Sequence, residues 1–180
     1  DRGDPIDRTE SGWRWSNSRG DLIEFGADGR MLRSGDHRDW QMSFTYDTAT
    51  NLTGIWDHFT NQVLWIEYTN GLVVAVRDQA AGGRHVTYQY DSSKRLTNVV
   101  DVSGYKTAYR YDGQNRLISK KVPGGEESTI SYRADGAVGQ VTYSADRGKV
   151  FTFDYDESLS QYYASTRVLG GSITERWLGP

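Results

Sequence analysis

Cysteine is absent from this 180-residue chain, so neither a disulfide framework nor a thiolate-held metal is available to it. Proline is scarce at three residues, while glycine reaches 20 and aromatics 13%, a balance that suits many turns and ring-packed strands rather than a disordered polypeptide. There is no apolar run of about eighteen residues, which excludes a helical membrane span. Positive charge is not in excess either: 21 Lys and Arg against 24 Asp and Glu give a net charge of -3, mixed along the sequence. No basic face is offered to phosphate backbones, so nucleic acid is not an expected partner. No Gly-x-Ser-x-Gly elbow and no phosphate-cradling glycine loop occurs, and the chain is not expected to be an enzyme or to carry a cofactor or metal. It opens on Asp1-Arg2-Gly3-Asp4-Pro5, with neither an initiator Met nor a signal sequence, and is therefore expected to be a piece of a longer protein.

What is present is a period. Tyr88-Gln89-Tyr90-Asp91, followed by Arg95-Leu96, returns as Tyr109-Arg110-Tyr111-Asp112, followed by Arg116-Leu117. With the second aromatic as anchor, the copies fall at Phe25, Tyr46, Tyr68, Tyr90, Tyr111, Tyr132 and Tyr155, spaced by 21 to 23 residues. A large apolar side chain stands two residues before each anchor: Ile23, Phe44, Ile66, Tyr88, Tyr109, Ile130 and Phe153. Such i, i+2 pairs share one face of a strand. The residues between them (Glu24, Thr45, Glu67, Gln89, Arg110, Ser131 and Asp154) are polar, so the opposite face meets water or a polar partner.

After the anchor comes turn chemistry, as in Asp47-Thr48-Ala49-Thr50-Asn51, Asp91-Ser92-Ser93-Lys94 and Asp112-Gly113-Gln114-Asn115. Asp and Asn accept backbone N–H bonds two residues on, and Gly and Asn tolerate positive φ. A return strand then starts near Leu32, Leu52, Leu72, Leu96, Leu117 or Val138 and runs into a second turn. The fold class is all-β: an antiparallel meander of about fourteen short strands. Residues 1-12 read as a lead-in, 13-156 as seven repeat copies, and 157-180 as a degenerate or partial further copy. Trp13 and Trp15 are expected to cover the first edge of the sheet. At 180 residues the chain is long enough for a continuous core if the strands curl or stack.

The run Tyr-x-Tyr-Asp-x-x-x-Arg-Leu, then Asp-x-x-Gly, then Tyr-x-Tyr-Asp again, resembles the YD repeats of the RHS (rearrangement hotspot) family. These repeats also occur in teneurins, in wall-associated toxins and in the C components of insecticidal toxin complexes. The lead-in Gly12-Trp13-Arg14-Trp15 with Gly20 to Phe25 and Asp28-Gly29-Arg30-Met31-Leu32 is similar to the segment that precedes the regular repeats in bacterial members. The resemblance implies a curved sheet or spiral section of a β-shell that sequesters a C-terminal toxin. Its implied partners are the remainder of the same shell, the enclosed toxin and components of a secretion apparatus. Its implied location is secreted or at the cell surface, with loading in the bacterial cytoplasm before export. The family's Asp-Pro-x-Gly self-cleavage motif is missing from this stretch. A second class stays open, an extracellular adhesion or glycan-binding module of the teneurin kind.

The structural signature is carried by Tyr46, Asp47, Tyr68, Tyr88, Tyr90, Asp91, Leu96, Tyr109, Tyr111, Asp112, Leu117, Tyr132, Tyr155 and Asp156. In these copies the aromatics pack one face, the Asp reverses the chain and Arg-Leu starts the return strand. The carboxylates read as turn caps in preference to a cation ladder. His37, His58 and His85 read as solvent-exposed turn residues.

Overall fold

The structure is a computed structural model that describes residues 5–79, 83–144, 149–156, 161–167 and 177–178, with backbone alone from 153 onward. Its strands pair antiparallel with their sequence neighbours, in two compact units that divide between Thr87 and Tyr88. The first unit contains β1 (Ile6–Arg8), β2 (Gly12–Ser16), β3 (Asp21–Gly26), β4 (Met31–Asp36), β5 (Trp40–Tyr46), β6 (Leu52–Asp57), β7 (Gln62–Thr69), β8 (Leu72–Asp78) and the start of β9 (His85–Tyr90). The second holds the rest of β9, then β10 (Leu96–Val100), β11 (Lys106–Tyr111), β12 (Leu117–Lys121), β13 (Glu127–Tyr132), β14 (Val138–Tyr143), β15 (Lys149–Asp156), β16 (Gln161–Arg167) and β17 (Trp177–Leu178).

Seventeen strands are described, against about fourteen expected. The seven copies supply β3 to β16, and the difference is β1, β2 and β17. Trp13 and Trp15 lie inside β2, paired with Phe25 and Ile23 on one side and with Arg8 and Ile6 on the other. They are rungs of the ladder and do not cap its edge, because the preceding Ile6–Arg8 segment supplies a further strand. Their alternation with Arg14 was itself the strand signal.

Tyr155 pairs with Tyr162 in unbroken register, whereas five other anchors follow a register shift. Phe25 faces Met31, Tyr46 faces Leu52, Tyr68 faces Val73, Tyr111 faces Leu117 and Tyr132 faces Val138, each directly after a β-bulge. The extra residue on the return strand is Leu32, Thr53, Val74, Ile118 or Gly139. A bulge bends the strand, increases its local twist and re-aims side chains, so it sets the direction of each anchor ring.

A closed core does not form among the described side chains. Ala75 is the buried hydrophobic residue at 8% exposure, and no large side chain is fully buried. Among the described side chains, the six anchors from Phe25 to Tyr132 and their apolar partners are half-buried. The continuous core that chain length permits is thus absent from the described residues.

Candidate functional site

The recurring residues build one device, repeated along each unit. Its first part is the turn after the anchor. The Asp47 amide donates to the Asn51 carbonyl (3.0 Å) and the Thr50 amide to the Asp47 carbonyl (3.0 Å); equivalent pairs close the turns at Asp91 with Arg95 and at Asp112 with Arg116. The fourth residue of each turn is left-handed: Thr50 at φ 71°, Lys94 at 63° and Asn115 at 63°. A non-glycine residue tolerates that region at a cost, which the Asp side chain offsets. Asp91 Oδ1 accepts the amides of Ser93 and Arg95, each at 2.9 Å, and Asp112 Oδ1 accepts those of Gln114 (2.8 Å) and Arg116 (2.9 Å). These are the Asx bonds that the sequence implied. The amide bonds, aided by the Arg side chains, hold the Asp91 and Asp112 carboxyls below the ordinary aspartate value. Asp47 is lowered first by the Asn51 side chain and then by its amide.

The second part is the tyrosine hydroxyl. Strands β4 and β5 stay paired only as far as Arg33 and Ser43, and the pairs β6–β7, β10–β11 and β12–β13 likewise stop short of Leu52, Leu96 and Leu117. At that open end the anchor reaches across. Tyr46 donates to the Met31 carbonyl (2.8 Å), Tyr68 to Leu52 (3.0 Å), Tyr111 to Leu96 (2.9 Å) and Tyr132 to Leu117 (2.8 Å). Each bond joins one copy to the start of the previous copy's return strand. It satisfies a carbonyl that the ladder leaves behind.

The third part is the arginine, whose role is larger than starting a strand. Arg95 Nε donates to Asp91 Oδ2 at 2.7 Å and Arg116 Nε to Asp112 Oδ2 at 2.8 Å. The same guanidiniums lie over the ring of the next anchor, Arg95 at 5.2 Å from the Tyr111 centroid and Arg116 at 4.3 Å from that of Tyr132. Arg95 Nη1 also donates to the Asp112 carbonyl and to Asn115 Oδ1, both at 3.1 Å. In the first unit Asp28, Arg30 and Tyr46 repeat the arrangement, with Arg30 5.2 Å from the ring centroid. Asn51 stands where the arginine would be in the next copy and bonds Asp47 through Nδ2 at 3.0 Å. The period contained this signal, since Arg30, Arg95 and Arg116 all precede the return strand at the same offset from the turn. Only the folded register shows that they cover the following tyrosine.

Tyr88 and Tyr90 sit half-buried in β9 and Tyr109 half-buried in β11 opposite Lys120. Burial raises the Tyr90 hydroxyl above its ordinary pKa, and Tyr88 adds to the effect. Tyr155 and Asp156 end β15, and their side chains lie outside the described residues. His37, His58 and His85 are exposed, as expected, but His85 opens β9 opposite Arg77 and does not lie in a turn. The rings of His58 and Phe59 meet at 42° with centroids 3.6 Å apart, and His85 Nδ1 lies 2.8 Å from the Gly83 carbonyl.

Of the polar residues opposite the anchors, Glu24 takes a polar partner over water. It is 5% exposed, registers between Arg14 and Arg33, and bonds Arg33 Nε. That bond holds its carboxyl below the ordinary glutamate value against the opposing effect of burial, with Arg14 and Ser11 assisting. Arg33 and Arg14 lie 4.2 Å and 5.9 Å from the Trp40 ring centroid, so the tryptophan covers the pair. Alternation marked Glu24 as outward-facing, but only the pairing of β4 with β5 reveals its cover.

In this device the carboxylates of Asp47, Asp91 and Asp112 accept N–H donors, and the hydroxyls of Tyr46, Tyr68, Tyr111 and Tyr132 donate to carbonyls. The device joins one copy to the next.

Comparison with known proteins agrees with this reading. Residues 90–127, which hold the two cleanest copies, match the RHS Repeat family. Over 96 residues, 53% of the chain, the sequence is 30% identical to double-stranded DNA deaminase toxin A of Burkholderia cenocepacia (strain H111), and the matched stretch covers 6% of that protein. Among solved structures, the TcdB2-TccC3-TEV crystal structure aligns with a TM-score of 0.55 at 11% identity, over 89% of this chain and 11% of that one. TcdB2-TccC3-Cdc42 aligns at 0.52 and 11% identity, over 86% and 10%. At such identities the likeness is one of fold.

Proposed function

We propose that the chain, whose residues 90–127 match the RHS Repeat family, is a section of wall in an RHS shell that encloses a C-terminal toxin for delivery, in bacterial competition or attack on a host. The observation that carries this reading is the brace, in which hydroxyl, carboxylate and guanidinium together fasten one copy to its neighbour at Tyr46, Tyr111 and Tyr132. A sheet built this way gains length with every copy. The relative in Burkholderia cenocepacia is a toxin by name, and this chain aligns with a small part of it. Zinc-dependent nucleobase deaminases hold their metal with cysteine thiolates, which this cysteine-free chain lacks. In a parent of that kind the chemistry lies outside the repeats, which serve as container.

The proposed partners are the remainder of the shell, the enclosed toxin and a secretion apparatus, and the proposed location is secreted or at the cell surface. A glycan or adhesion role has less behind it, because the recurrent tyrosine hydroxyls that a sugar platform would use are bonded to backbone carbonyls. Limited proteolysis of the full-length protein tests the enclosure. The segment C-terminal to the repeats should resist protease under native conditions and be cut when the wall is opened by mild denaturant. Cleavage at the rate of the same segment expressed alone would overturn the proposal.

A further inference from the structure

We propose that the polar face of the second unit carries a docking site for an extended acidic peptide, centred on Arg110 and Lys121. Three strands build it. Ala108 of β11 faces Lys121 of β12, which in turn faces Glu127 of β13, while Arg110 faces Ser119. Arg110 Nη2 crosses β12 to donate to Glu127 Oε1 at 2.7 Å, and the Ser119 hydroxyl, on a residue only 2% exposed, donates to the same oxygen at 2.6 Å. The Glu127 amide donates to Ser144 Oγ at 2.7 Å, which fixes the strand beneath its carboxylate. Ser119, then Arg110, lower the Glu127 pKa, so the carboxylate is charged and holds the guanidinium in place.

Ala108 is short where its neighbours carry long side chains, and a cavity of about 260 Å³ opens there, lined by Ala108, Arg110, Ser119, Lys121 and Glu127. Two cations against one anion leave the cavity with one positive charge. A single carboxylate from outside balances it, whereas a dianionic phosphate would be set against the carboxylate of Glu127. Lys106 is exposed on the same face of β11, four residues before Arg110 and so about 13 Å away along the strand. Two cationic points at that separation match side chains four apart on one face of an extended peptide, which recur about every 6.8 Å. Charge complementarity of this kind sets specificity and capture rate. The site stands independently of the enclosure reading.

A labelled, capped peptide of alternating glutamate and serine, titrated into the full chain and followed by fluorescence polarisation, tests it. Saturable binding is expected, with no binding of the glutamine counterpart and no displacement by acetate at equal carboxylate concentration. Lys121→Gln should weaken binding about three- to five-fold, the size of one exposed charge pair, and Arg110→Gln with Lys121→Gln should abolish saturation. Ala108→Leu keeps every charge but fills the cavity, and should weaken binding as well. Urea midpoints establish that each variant is folded. Equal binding of the glutamine peptide, displacement by acetate, or an unchanged affinity in the folded double variant would overturn the proposal.

Discussion

Replacing Tyr132 by Phe removes one oxygen and leaves the ring where it is. The hydroxyl donates to the Leu117 carbonyl at 2.8 Å, beyond the point at which β12 and β13 cease to pair. A neutral hydrogen bond of this kind contributes about 1 kcal/mol net, and a buried carbonyl left without a donor costs more. Leu117 is only half-buried, so water can reach the freed carbonyl and the loss should stay near about 1 kcal/mol. For a chain of this size that corresponds to a fall in Tm of about 2 to 4 °C. Arg116 remains over the phenyl ring, so Tyr132→Leu, which also removes a cation–π contact of about 0.5 to 1 kcal/mol and much ring packing, should cost distinctly more. Tyr46, Tyr68 and Tyr111 make the same bond in other copies. Contacts that share no partner add, so the fourfold Phe variant should lose about 4 kcal/mol. Urea unfolding followed by tryptophan fluorescence gives these values, with the slope m expected to stay constant. If Tyr132→Phe unfolds at the wild-type midpoint, or if the fourfold variant loses no more than one single variant, the hydroxyls do not couple the repeats.

Three further outcomes follow from the same geometry. Asn51→Arg should place a guanidinium between Asp47 and Tyr68, as Arg30, Arg95 and Arg116 are placed in their copies, and raise stability by about 0.5 kcal/mol; thermal melts that fall would show that the neighbouring ring is not available. Gly35→Ala should cost about 2 to 3 kcal/mol and disturb the β4–β5 pairing, since its Cβ would meet the Asp39 carbonyl and lie 2.7 Å from Trp40 Cα, while Gly113→Ala, with nothing within 4 Å, should be near neutral by the same melts. The carboxyls of Asp47, Asp91, Asp112 and Glu24 all have folded pKa values below their ordinary ones. For such groups the stabilisation is present above the unfolded pKa and is lost as pH falls through the folded one. The urea midpoint should therefore be flat above about pH 5 and decline below about pH 4, and a midpoint that rises on acidification would contradict the capping role.

Much of this was legible in the sequence because it is local. The i, i+2 aromatics, the Asp at the strand end and the glycine-rich turns report on residues within one hairpin, where period and turn chemistry determine the outcome. What escaped depends on register between hairpins. Arg116 is adjacent to Leu117 in sequence, yet the ring it covers belongs to Tyr132 in the next copy. The bulge ahead of five of the anchors leaves no mark on composition, since Leu32, Thr53, Val74, Ile118 and Gly139 have little in common. Glu24 looked outward by alternation and is covered because Arg14, Arg33 and Trp40 converge on it from other strands. Strands β1, β2 and β17 lie outside the Tyr-Asp pattern, so counting copies alone missed them.

Electron cryomicroscopy of the full-length protein tests the enclosure most directly. If these repeats are wall, their strands will be found in a continuous sheet around a lumen that holds density for the segment C-terminal to them. Repeats packed face to face around no lumen, or a C-terminal segment folded outside them, would contradict it.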